Sequence, residues 1–344
     1  MAQTDSFGMS QGSKPRSRKR GTWPALGLFF VAPLVAEFLL GNLPIKMLPA
    51  LIVLAPLYGG GALLTRELVR RVGRGWPSIL ILGLAYAIFE EAFTTQSLFN
   101  PDYLSLKLCL LTPAFIPAFG IGGWWTLWMF NVHVLWSIAT PIALIEATVP
   151  DRASKPWLGR IGLCVTAIVF LFGAVVTTKI GYKLDHYMAS IRQFSSAAAA
   201  VLLLGILAFQ IPLGNKPKSP GSRPAPSPWL PGVFALATGS AMLLTPKAWG
   251  WGAVAVLLTL DLIVLALVLF WSQRSGWGLQ HKLALASGAA LAYGWHAFVE
   301  HPSVGQLDSS VRAGNVVFLA GAVALILFAA RRTVEAVRTG ILPA

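Results

Sequence analysis

The chain has 344 residues, 56% of them hydrophobic and only 12% charged, with a formal net charge of +14. A soluble globular domain carries about 25% charged residues, which excludes that class; several apolar runs instead reach the ~20 residues a helix needs to cross a bilayer. The basic residues sit in short blocks between apolar runs and not on one surface, which excludes a nucleic-acid partner, and the two cysteines, Cys109 and Cys164, make neither a disulfide framework nor a metal pattern. The fold expected is all-α: a polytopic transmembrane helical bundle in contact with membrane lipids.

From the N-terminus, a basic tail (1–22, "GSKPRSRKRGTW") precedes an apolar run, Trp23 to Leu40, that is longer than a signal-peptide core and lacks a small-x-small cleavage site. It reads as an uncleaved first span. Ten spans follow from the apolar runs: 23–41, 48–64, 77–99, 124–147, 158–178, 194–213, 230–245, 249–271, 282–300 and 312–330, the seventh being the shortest. With the N-terminus cytoplasmic, 20 of the 27 Lys and Arg residues fall on the inner side, the bias that a correct topology gives. Both termini are then cytoplasmic, and the expected location is a bacterial-type inner membrane. A six-span region (23–213) and a four-span region (230–330) flank a basic Pro/Ser-rich cytoplasmic linker (214–229), and 331–344 is a cytoplasmic tail. The segment "TPAFIPAFGIGGWW" (112–125) is apolar but broken by proline and glycine, which suits a re-entrant or interfacial piece. Cys164, inside an apolar run, reads as packing, and the tryptophans near span ends read as interface anchors. Glu67 reads as a solvated partner of Arg70 and Arg71.

The third span carries the pair Glu90 and Glu91 in "GLAYAIFEEAFTTQSLFNPDY". At ~1.5 Å per residue both lie roughly 12 to 14 Å below its outer end, and His133 lies about as deep on the fourth span. Tyr86, Glu90, Thr94 and Ser97 form one polar stripe; Thr126, His133, Ser137 and Thr140 form another, with Asn131 on a different side. An acid near the helix centre costs on the order of 3 kcal/mol, and no Lys or Arg is placed to relieve it. Protonation, hydration, a bond to histidine or a bound cation must do so. Two close carboxylates resist double ionisation, and such a group suits a general base for water near neutral pH. Further candidates are His296 and Glu300 on span nine and Asp261 on span eight, while Glu37 reads as interfacial. Catalytic roles are therefore expected of Glu90, Glu91 and His133, and binding roles of Thr94, Ser137, His296, Glu300 and Asp261.

"EEAFTT" and "MFNVH" together resemble the CAAX-type prenyl-protease and bacteriocin-processing family, intramembrane hydrolases with Glu-Glu-x-x-x-Arg, Phe-x-x-x-His and His-x-x-x-Asn/Asp motifs. Glu90, Glu91 and His133 match. Thr95 stands near the arginine position, Met129 at the phenylalanine, and "HAFVE" (His296, Glu300) is displaced along the chain. The likeness covers at most residues 77 to 145. It implies an intramembrane peptidase in which Glu90 or Glu91 activates a water for peptide-bond attack and His133 positions or stabilises the oxyanion. A divalent metal such as zinc is compatible with a Glu/His ligand set. The residues leave two other readings open: a proton- or cation-coupled transporter or lipid-handling protein, acting on a small molecule, and a non-catalytic membrane scaffold or complex subunit.

Overall fold

The computed structural model describes residues 21–105, 109–210, 223–303, 306 and 308–342. Most of the basic tail, Lys107, the first part of the basic linker and the last two residues of the C-terminal tail lie outside the described residues. Every apolar run expected to cross folds as a helix. In chain order these are α1 (Trp23–Leu39), α2 (Ile45–Arg71), α3 (Trp76–Thr94), α4 (Gly123–Thr148) and α5 (Arg160–Asp185), then α6 (Ile191–Gln210), α7 (Trp229–Leu243), α8 (Trp251–Ser272), α9 (Leu279–His296) and α10 (Ser309–Arg338). Among the described residues, α2 to α6, α8 and α10 are long and apolar enough to cross a membrane; α1 and α7 are apolar but shorter. α9 begins with the polar Gln280, His281 and Lys282.

α4 is the centre of the bundle. It packs on α1, α3, α8, α9 and α10 and contributes to both large apolar clusters. Ile142, Leu144 and Trp136 on it are fully buried, Trp136 lying parallel to Tyr293 of α9 at 4.3 Å. α5, α6 and α8 present Ile168, Leu171, Leu202, Ile206, Leu262 and Leu265 outward, as helices bathed in lipid do. Cys164 points outward with them, so it is a lipid-facing residue and not core packing.

Four of the helices are interrupted by π-helical turns: Leu34–Leu39 in α1, Ala55–Gly59 in α2, Glu90–Thr94 at the end of α3 and Val132–Ala139 in α4. Proline explains three of them. Pro33, Pro56 and Pro141 each remove a backbone N–H and crowd the carbonyl four residues back, so the helix widens there. The carbonyl of Phe29, which Pro33 deprives of its donor, meets α2 at Gly59. A Cβ on Gly59 would lie 1.9 Å from that oxygen, so only glycine permits the contact. Gly59→Ala is expected to destabilise the protein by at least the ~1–3 kcal/mol typical of overpacking, read as a lower melting temperature of the solubilised chain.

Residues 112–122 are not a helix, and α4 takes over at Gly123. Phe115–Ile116 and Ile121–Gly122 pair as a short antiparallel hairpin, with Phe119 exposed at its tip.

The end of the bundle with the arginines differs most from expectation. Helix α2 runs through "RELVRR", where the sequence reads as a loop, and buries it. Glu67 is fully buried and accepts the backbone N–H of Trp157 at 2.9 Å and of Leu158 at 3.0 Å, besides Arg66 at 2.5 Å. Glu146 takes Arg66 at 3.0 Å and Arg70 at 2.8 Å. Trp157 is no interface anchor; its ring lies 3.2 Å beneath the Arg66 guanidinium. Solvation is thus replaced by a closed network, because long polar side chains at a span end are as able to turn inward onto a loop as outward to water.

Candidate functional site

The π-turns converge on one place. Glu37, Tyr58, Glu90 with Glu91, and His133 with Ser137 each lie on one of the four. A π-turn inserts one residue into the helical register and re-aims the side chains on it, which is why such turns gather at functional sites.

His133 is the hub, buried between α3 and α2. Its Nε2 lies 2.7 Å from Glu91 Oε1, and its Nδ1 lies 3.1 Å from Ser137 Oγ and 3.4 Å from Glu90 Oε2. Nε2 faces the Glu91 carboxylate, while Nδ1 faces both the Ser137 hydroxyl and the Glu90 carboxylate, so each ring nitrogen has an oxygen to meet. Tyr58 stacks on the imidazole at 6.0 Å and Tyr86 meets it edge-on at 5.8 Å. Gly61 makes room for Tyr86, since a Cβ there would lie 2.2 Å from its ring.

The two glutamates, adjacent in sequence, are not equivalent. Glu91 is fully engaged. Its Oε2 accepts Thr95 Oγ1 at 3.0 Å and the hydroxyl of Ser97, which in turn accepts Trp125 Nε1 at 2.9 Å. Glu90 Oε2 is as deeply buried and has no hydrogen-bond partner among the described residues. Nor do the described ion pairs bring a Lys or Arg to either carboxylate. Two acids and one imidazole in a site closed to solvent call for a proton or a cation to balance them. Glu90, Glu91 and His133 offer ligand atoms all within 4.8 Å of one another.

The depth match between Glu90, Glu91 and His133 thus corresponds to contact, though not along a straight helix. Helix α3 ends at Thr94, one turn beyond Glu90, so the carboxylates are nearer the helix end than a span to residue 99 implies. Gln96 adopts the left-handed conformation (φ +58°), and the chain folds Ser97 back onto Glu91. Ser97 therefore reaches the site by a turn and not by helical spacing. Thr94 lies one helical turn from Glu90, buried, its hydroxyl unpartnered. Three other expected binding residues do not join the centre. Asp261 is half-buried and accepts Asn131 Nδ2 at 3.1 Å on another face of α4. His296 and Glu300 pair with each other at 3.5 Å near the end of α9. Helical pitch separates Asn131 from His133 by two residues, hence onto different faces.

Sequence reasoning missed Tyr58 and its link to Glu37. Tyr58 Oη donates to Glu37 Oε1 at 2.6 Å, and Asn42 donates to the other oxygen, so the acid of α1 is tied to the ring that covers His133. The only signal was a tyrosine between Pro56 and a run of three glycines, Gly59 to Gly61.

These features define a multi-pass helical membrane protein with a buried Glu/His centre. The chain belongs to an uncharacterized membrane protein family, whose model matches residues 26–340. That membership supports a membrane protein; it does not support the likeness to the CAAX-type proteases, which rests on Glu90, Glu91 and His133 alone. No curated protein and no solved structure matches the chain.

Proposed function

We propose that this protein is an intramembrane hydrolase in which Glu90 activates a water beside an imidazole held by Glu91 and Ser137. The observation that carries this reading is the inequality of the two glutamates. A general base must have an oxygen able to take a proton from water; Glu90 Oε2 accepts no hydrogen bond among the described residues and lies 3.4 Å from His133 Nδ1, whereas Glu91 gives one oxygen to His133 and the other to Thr95 and Ser97. The water oxygen attacks a carbonyl carbon, its proton passes to Glu90, and the leaving group recovers a proton from Glu90 as the bond breaks. The likeness to the CAAX-type family points to a peptide bond as the target. With the arginine-rich end cytoplasmic, the centre lies toward the outer side of a bacterial-type inner membrane.

The same three residues suit a divalent cation, for which a Glu/Glu/His set is an accepted zinc ligand type. A cation there would balance the buried charge and make the water a better nucleophile at neutral pH. Zinc titration of the protein in lipid nanodiscs is expected to show one site, which His133→Ala weakens by more than the ~10–100-fold that loss of an outer partner costs.

The hydrolase reading is tested by incubating the nanodisc protein with a library of apolar peptides in ¹⁸O-water. New carboxyl termini carrying ¹⁸O in the wild type and not in Glu90→Gln are the expected result. Equal product from both would overturn the reading, and cation-coupled uptake in proteoliposomes without turnover would favour a carrier.

A further inference from the structure

Glu90 Oε2 is one of several buried polar atoms without a partner, and these are not scattered. Tyr86 Oη, Glu90 Oε2 and Thr94 Oγ1 are all unpartnered among the described residues, and all three residues are buried. They follow one another at four-residue intervals along α3, with the Tyr86 hydroxyl directly against the Glu90 carboxylate. A buried hydroxyl or carboxylate left without a partner costs ~1–3 kcal/mol, and three in a row on one helix face need a common explanation.

The row ends at a crevice. Thr94 and Thr95 form its inner wall, Gln96 and Asn100 the turn above, and Thr178 and Asp185 of α5 the opposite side, around a narrow space of about 10 Å³, enough for about one water. The walls are fixed: Asn100 Nδ2 and the N–H of Leu104 both donate to Asp185 Oδ2 at 2.8 Å, and Gln96 Oε1 accepts the N–H of Ala189 at 2.7 Å. Asp185 Oδ1, though buried, has no partner, so a second acceptor faces the Thr94 side of the bundle end. The lining is polar, with one acid and no base.

We propose that this crevice is the aqueous entrance to the Glu/His centre, and that Thr94 and Glu90 hold the water leading inward from it, with Tyr86 closing the inner end against the Glu90 carboxylate. The inference rests on the reading of Glu90 as the acceptor of a water and adds where that water enters. The lining favours water and small cations over anions, because Asp185 sits at the mouth and the path inward passes hydroxyls and a second carboxylate. Substrate need not use this route.

X-ray hydroxyl-radical footprinting of the protein in nanodiscs tests the entrance without requiring turnover, since radicals formed on bound water oxidise adjacent side chains even where bulk solvent does not reach. Tyr86 and His133 are expected to be oxidised, while Trp136, fully buried among apolar neighbours and intrinsically more reactive, stays silent. Thr94→Val removes the first hydroxyl of that path at nearly constant volume and should reduce Tyr86 oxidation several-fold; Thr94→Ser should restore it. A wild-type Tyr86 as silent as Trp136 would overturn the proposal, as would oxidation unchanged in Thr94→Val. An oxidised Tyr86 in a protein that hydrolyses nothing would uphold the entrance while removing the hydrolase, so the two failures are distinct.

Discussion

Replacing Glu90 by Gln is expected to lower turnover by the ~10²–10⁴-fold that a general base contributes, while leaving the melting temperature unchanged or higher. The two effects have one cause. Glu90 Oε2 makes no hydrogen bond that the fold would miss, and it lies 3.4 Å from the His133 ring beside a second buried carboxylate. The amide is isosteric and uncharged, so it removes a group that the site must balance while deleting the acceptor. Stability held down for activity is common at functional sites. Glu91→Gln should behave differently. Its oxygens accept from Thr95, Ser97 and His133, and an amide nitrogen at either position would set donor against donor, costing ~1–3 kcal/mol. Thermal unfolding and turnover measured on both variants separate the base from the residue that positions His133; equal destabilisation by the two substitutions would contradict the assignment.

The second large effect is expected at the opposite end of the bundle, where Glu146→Ala should cost ~3–5 kcal/mol, the penalty for stranding a buried charge. Arg70 reaches Glu146 with both its Nε and its Nη2, at 2.9 and 2.8 Å, and among the described residues keeps the carbonyl of Arg74 at 3.2 Å and the Trp76 ring at 5.9 Å when that carboxylate is gone. Arg66 is better insured, by Glu67, by the carbonyls of Ala153 and Lys155 at 2.9 Å, and by the Trp157 ring. The loss should appear as a fall of about 10 °C in melting temperature and less monodisperse protein on size exclusion. Arg70→Ala in the Glu146→Ala background removes the stranded partner and should recover part of the loss, because the two residues form one network. A double variant no more stable than the single one would show that the pair is not the unit described.

Much of the fold was legible because lipid imposes a simple grammar: an apolar run of sufficient length becomes a helix, and all ten runs did. The core of the site was legible for a related reason. Acids are costly among apolar residues, so Glu90, Glu91 and His133 stood out, and equal depth on consecutive antiparallel helices brought them into contact. What the chain does not announce is departure from helical spacing. The π-turns at Tyr58 and Glu90, and the left-handed residue Gln96 that turns Ser97 back, depend on packing between helices and on prolines whose effect lies a turn away. Glu67 shows the same limit for charge. Beside three arginines on a span end it reads as solvated, yet a loop ninety residues downstream presents two N–H groups to it. Asp261 and the His296–Glu300 pair show the converse, since polar residues on spans also serve local pairs.

The most direct test of the Glu/His centre is a solid-state NMR distance in lipid, measured between ¹⁵N on the His133 ring and the ¹³C carboxyl carbons of Glu90 and Glu91, with each assignment secured by loss of the signal in His133→Asn. Dipolar coupling to both carboxyls is expected, strongest from Nε2 to Glu91 at ~3.5 Å, the separation that a short N–H···O bond implies. A ring coupled to neither would mean that α3 and α4 do not place these side chains together, and the centre, its water and its chemistry would fall with that contact.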